Sequence, residues 1–163
     1  TLSVQMPVLE KQAKYYDYVH LFPEALPRND AAIRYAREQC NHRVVLIAHS
    51  SGSHMAMAWV DAQLGGRQSE TIDAYVGIGM GATDYQQFME KALPLDKMTV
   101  PVLDVYAEND YPTIIRHAPE RLRMITIAGN AKNQQKMVLD AGHYYENRGE
   151  ALTRVVGQWL DTL

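Results

Sequence analysis

The chain has 163 residues, 47% of them hydrophobic, with a net charge of −3 and a sequence pI near 6.0. That is enough for one domain with a substantial core, and the mildly acidic balance, with no long run of like charges, excludes the electrostatic footprint of a nucleic-acid binder or a polybasic membrane patch. A single cysteine, Cys40, excludes an internal disulfide framework, and no apolar stretch approaches the ~18 residues of a membrane span.

In chain order, Leu2–Met6 alternates apolar and polar and stops at Pro7, which predicts a short strand. The first residue is Thr1 with no charged-then-apolar leader, so the sequence reads as a piece of a longer or processed chain. Residues 8–23 have no clean period and carry Tyr15, Tyr16 and Tyr18, which predicts an ordered loop. Glu24–Gln39 reads as a helix, with Pro27 in its first turn and Ala25, Ile33, Ala36 and Cys40 roughly on one stripe. Cys40 reads as a small buried hydrophobe.

Arg43–Val60, RVVLIAHSSGSHMAMAWV, follows. The apolar run Val44–Ala48 breaks into His49-Ser50-Ser51-Gly52, and an Ala- and Met-rich helix runs on to Gly65-Gly66. This is strand, sharp turn, helix, with Ser50 at the apex, Ala48 two residues before it and Gly52 two after. Small residues at both places let strand and helix close on a strained, exposed serine.

Ala74–Gly79 reads as a buried strand, Asp84–Ala92 as a short helix and Val100–Tyr106 as a strand. Thr113 to about Ile127 reads as mostly helical, although Ile125–Ile127 also suits a strand. Gln135–Leu139 is the last strand, and Arg148–Leu160 an amphipathic helix with Leu152, Val155, Val156, Trp159 and Leu160 on one side. Alternating strands and helices with near-continuous apolar strands predict an α/β fold: a mostly parallel sheet of about five strands with helices on both faces.

A serine hydroxyl becomes a nucleophile only with a base in hydrogen-bond reach and a group to orient that base. Two later stretches supply candidates at carboxyl ends of strands, where open α/β sheets place their sites. They are VPVLDVYAEND, ending in Asp110, and VLDAGHYYE, carrying His143 and Tyr144.

With VVLIAHSSG, these phrases resemble the α/β-hydrolase superfamily, and most of all an uncharacterised bacterial branch of it. The resemblance spans the whole chain as a partial α/β-hydrolase fold: residues 1–163 as one domain, the C-terminal portion, with Leu2–Met6 as the fourth of eight strands and the first three before Thr1. It implies a serine esterase-like hydrolase acting on a small-molecule acyl substrate, with Ser50 as nucleophile, Asp110 as acid and His143 as base. The Ser51 N–H would be an oxyanion donor, and His49 and Tyr144 candidates to line the substrate. No cofactor or metal is called for, nor a large lid between Gly79 and Thr99. The bacterial branch implies an exported or periplasmic protein, with cytoplasm as the alternative.

The sequence departs from the pattern in two ways. Ala48 replaces the usual first glycine of the elbow. The strand and loop that would give the second oxyanion donor fall before Thr1, and a lost donor costs roughly 100- to 1000-fold in rate, so the stretch alone is expected to be weakly active or inactive. Without the third strand, the edge of Val44–Ala48 is open, and either Leu2–Met6 or a second copy of the chain is expected to pair there as a homodimer.

Plainer readings stand beside these. Ser50 is a good helix cap, with Ser51 and Ser53 close by. Asp110 can cap a helix starting near Pro112. Asp84 is the next candidate acid, Asp104 lies within its strand, and Glu108 suits a solvated loop charge. His20, His42 and His117 read as ordinary loop histidines. His49 and His54 are five apart, off a common helical face and so no metal pair. The tyrosines near residue 16 suit a partly exposed loop, and Met55, Met57 and Trp59 the core. The rival functions are a non-catalytic α/β-hydrolase-like binding or scaffolding domain and a flavodoxin-like nucleotide binder, the latter lacking a Gly-rich phosphate loop.

Overall fold

A computed structural model of the chain describes residues 1–10, 12, 15–39, 43–66, 70–81 and 93–163. Its centre is a four-stranded parallel sheet in the order β1 (Val45–His49), β2 (Ala74–Ile78), β3 (Val102–Asn109) and β4 (Gln134–Gly142). Strands that are neighbours in sequence are neighbours in space, and parallel pairing requires a crossover between each. β2, the run Ala-Tyr-Val-Gly-Ile, is buried at every residue, as a strand covered on both faces must be.

The pleat sends alternate side chains to opposite layers. Tyr75 and Val102 join Leu46 and Ala48 against α1 (Ala25–Gln39), α2 (Ser51–Leu64), α4 (Ala118–Ile127) and the turn at Pro94–Lys97. Ala74, Val76, Ile78, Leu103, Val105, Ala107 and Val138 face the other way, onto α5 (Gly149–Leu160). The α5 residues that meet them are Leu152, Val155, Val156, Trp159 and Leu160, the stripe read from the sequence. Trp159 anchors this layer: it is buried, and its indole N–H donates to the Lys132 carbonyl at 2.7 Å. Trp159→Ala should lower unfolding free energy by about 3–5 kcal/mol. Urea denaturation checks this, and a loss under 1 kcal/mol would place α5 wrongly.

The structure corrects several expectations. Leu2–Met6 is not a strand and does not pair with β1. Its groups are engaged elsewhere: the Gln5 carbonyl accepts from Arg28 of α1 at 2.7 Å, and Met6 packs on Phe22, Ala25 and Met55. The outer edge of β1 therefore has no strand partner among the described residues, and Ile47 on it is 49% exposed. The stretch read as a loop over 8–23 contains a 3₁₀ helix, Tyr15–Glu24, whose Val19 and Phe22, three residues apart, pack together on α2. The single helix expected over Thr113–Ile127 is two, α3 (Pro112–Arg116) and α4, broken at His117. Each has its proline in the first turn, where the missing N–H has no helical partner to lose. Ile125–Ile127 is helical. The expected helix Asp84–Ala92, with Asp84, and residues Cys40 and His42 lie outside the described residues.

Candidate active site

The turn from β1 into α2 is tight enough to force Ser50 to φ 53°, ψ −124°, a left-handed conformation disfavoured for a residue with a Cβ. Holding it costs on the order of 1–3 kcal/mol. The Ser50 N–H donates to the Ile78 carbonyl at 2.9 Å, which ties the turn to the tip of β2. Ser50 makes no side-chain capping bond to α2, so the cap reading fails. Its hydroxyl instead lies 2.8 Å from Nε2 of His143. Among the described residues, a Cβ on Gly52 would meet nothing within 4 Å.

On the far side of the imidazole, Nδ1 of His143 is 2.6 Å from Oδ1 of Asp110. Asp110 follows β3 and its side chain is fully buried. It accepts from the Ala107 N–H at 3.1 Å and from the Tyr111 N–H at 2.9 Å. Burial pushes this carboxyl up, but the His143 bond and the two backbone donors outweigh it and hold Asp110 below its ordinary value. An ionised Asp110 only accepts, so Nδ1 of His143 carries the proton and Nε2 is left to accept from the Ser50 hydroxyl. Such a carboxyl adds stability that is fully present above its unfolded pKa of about 3.9 and is lost as pH falls through its lower folded value. The part of the stability gap between wild type and Asp110→Asn that comes from this carboxyl, measured by urea denaturation, should therefore shrink as pH falls below about pH 4.

The structure thus brings together Ser50, His143 and Asp110, from the ends of β1, β4 and β3. Ser51, the proposed oxyanion donor, is the first residue of α2, so its N–H is one the helix itself cannot satisfy. His49 is half-buried, and its Nε2–H donates to the His143 carbonyl at 2.9 Å. Burial lowers its pKa, which keeps the ring neutral. Tyr144 is 65% exposed and meets the His143 ring edge-on at 5.0 Å between centroids.

The other acids fall elsewhere. Asp104 is buried inside the sheet, paired with Arg121 at 2.9 Å and bonded to Gln135 at 2.7 Å. Glu108 is exposed and accepts from the Asp140 N–H at 2.8 Å, which makes it a brace for the end of β4.

A family model described as a protein of unknown function, DUF3530, matches residues 25–162. The chain belongs to the DUF3530 family. No curated protein matches it in sequence. Among solved structures it is similar to a predicted CIB-like hydrolase from Thermoplasma acidophilum, at 17% identity and TM-score 0.61 over 93% of this chain and 65% of that one. It is also similar to an alpha-beta serine hydrolase homologue from Coxiella burnetii, at 15% identity and TM-score 0.58 over 91% of this chain and 62% of that one. Esterase PE8 matches at 16% identity and TM-score 0.58, over 94% of this chain and 68% of the esterase. The fold is therefore α/β-hydrolase-like, and this DUF3530 chain spans somewhat under two thirds of the length of the first two structures it resembles.

Sequence reasoning passed over three contributors to the site. Tyr111 lies with its ring 4.5 Å from that of His143 and is 51% exposed, its hydroxyl 3.5 Å from that of Tyr144. Gly79, at φ 57°, follows the last residue of β2 and lies directly against the His143 ring. Tyr145, also at a left-handed φ of 55°, buries its ring beside α5. The one available signal was the glycine at a strand end, since a tip glycine marks close approach of another group.

Proposed function

We propose that this protein is a serine hydrolase acting on an ester or similar acyl bond of a small molecule. The observation that carries the reading is the unbroken relay from Ser50 Oγ through His143 to Asp110, at 2.8 and 2.6 Å. Two further features support it: the strained φ of Ser50, which presents the hydroxyl instead of spending it on a cap, and the hydrolase-like fold.

In this reading the Ser50 oxygen attacks the acyl carbon while Nε2 of His143 takes its proton. Asp110 holds the imidazole in the required tautomer and stabilises the imidazolium. The Ser51 N–H donates to the oxyanion. Collapse of the tetrahedral intermediate expels the alcohol, to which His143 returns the proton. Water, activated by the same histidine, then releases the acid and restores Ser50. Tyr144, beside the base and exposed, is placed to line the substrate. His49 is the weaker lining candidate, since its Nε2–H is already committed. The edge of β1, which has no strand partner among the described residues and carries the half-exposed Ile47, is where a second copy of the chain would pair.

The test is hydrolysis of p-nitrophenyl acetate and butyrate by the full-length protein, followed at early times. A burst equal to the enzyme concentration, then slower turnover, supports an acyl-enzyme route. A folded protein with neither burst nor turnover on any short acyl ester favours the non-catalytic binding module.

A further inference from the structure

The three candidate residues pose a topological problem. Ser50 follows β1 and His143 follows β4, and these are the two outer strands of the four. With about 4.8 Å between neighbours, their tips start roughly 14 Å apart. A contact of 2.8 Å requires the chain leaving β4 to turn back across the tips of β3 and β2.

Part of that return is built into β4. Between the pairs Ala107↔Val138 and Asn109↔Gly142, two steps along β3 are matched by four along β4, a bulge that bends the strand, with Asp140 at φ 53° inside it. The rest lies over β2. A Cβ built on Gly79 would sit 3.0 Å from Cε1 of His143, 3.2 Å from its Nδ1 and 3.6 Å from Oδ2 of Asp110. The His143 ring thus occupies the space a side chain at 79 would fill, and φ 57° independently disfavours anything but glycine there. Finally, His49, beside Ser50, holds the His143 carbonyl through its Nε2–H at 2.9 Å, joining residues 94 apart in sequence. Its ring lies 4.9 Å from that of His143, tilted by 35°.

We propose that Gly79 and His49 are positioning residues of this site: Gly79 leaves the seat for the His143 ring, and His49 latches the His143 backbone to the elbow across the sheet. Neither touches the reacting atoms. Their catalytic consequence rests on the serine-hydrolase reading, but the geometry they impose does not. Releasing the latch lets His143 drift, and a misplacement of about 1 Å costs on the order of 100-fold in rate.

The experiment uses full-length wild type, His49→Ala, His49→Gln and Gly79→Ala. It has two readouts: the low-field proton resonance of the His143 Nδ1–H held by Asp110, and the rate at which a fluorophosphonate labels serine. Thermal unfolding identifies which variants are folded. Wild type should show the resonance. His49→Ala should lose it to solvent exchange and label 10- to 100-fold more slowly, and His49→Gln, which keeps an N–H donor, should recover both. Gly79→Ala, if folded, should lose both; if it unfolds, the His49 pair decides. A folded His49→Ala or Gly79→Ala with wild-type resonance and wild-type labelling overturns the proposal, as does failure of His49→Gln to recover what His49→Ala loses. A wild type with the resonance but no labelling sinks the hydrolase reading alone, and the resonance in the variants still decides positioning.

Discussion

His143→Ala is expected to reduce kcat on a short acyl ester by roughly a million-fold, the scale at which deleting the base of a serine–histidine relay leaves only residual catalysis. The size follows from the geometry. Nε2 of His143 is the acceptor for the Ser50 proton at 2.8 Å. The imidazole of His49, whose ring lies 4.9 Å from that of His143, cannot replace it. Its Nε2–H points at a backbone carbonyl, and burial lowers its basicity. Because the lost interaction acts only as the serine is deprotonated, KM should change little. Steady-state kinetics on the full-length protein check this, with circular dichroism to establish folding. Retention of activity within tenfold of wild type would show that another group takes the proton.

Asp110→Asn is expected to cost about ten-thousand-fold in kcat with the fold intact. Asparagine has nearly the shape of aspartate and keeps an oxygen at the Oδ2 position for the Ala107 N–H, while the Tyr111 N–H, which shares Oδ1 with His143, loses its acceptor when the amide NH₂ takes that position. Against Nδ1 of His143, however, it can present its NH₂. The imidazole then moves its proton to Nε2, and the nitrogen facing Ser50 becomes a donor with no lone pair to offer. The geometry survives and the chemistry stops. The same variant therefore separates two roles of one carboxyl: a large kinetic loss at neutral pH, and a stability difference that shrinks as the carboxyl is protonated in acid. Asp110 does not cap α3, whose N-cap is Tyr111 with no side-chain cap bond, so a variant slowed less than tenfold would mean that Asp110 only holds the Ala107 and Tyr111 N–H groups of its turn.

Much of this is legible in the sequence, for identifiable reasons. β2 and the elbow are written in local residue types: an unbroken apolar run for a strand buried on both faces, and a serine flanked by small residues at a strand-to-helix break. The α5 stripe was equally plain, because helical period depends only on spacing. What failed was non-local. Leu2–Met6 has the alternation of a strand, yet a strand needs a partner, and its Gln5 carbonyl and Met6 side chain are taken by α1 and by Phe22 and Met55. The spacing of the elbow drew attention to Gly52, whereas among the described residues the close approach to the site is at Gly79, under a histidine that arrives 64 residues later in the sequence. The bulge in β4 and the reach of His49 to the His143 carbonyl were likewise out of view, since each depends on register between strands that no single stretch encodes.

The proposed chemistry requires that Ser50 be a nucleophile activated by its own histidine. Fluorophosphonate treatment of the full-length protein, followed by peptide mass mapping, addresses that directly. One adduct per chain on Ser50, absent from both Ser50→Ala and His143→Ala, is the predicted result. A folded wild-type protein that takes up no label, or that carries it on Ser51 or Ser53, would contradict it.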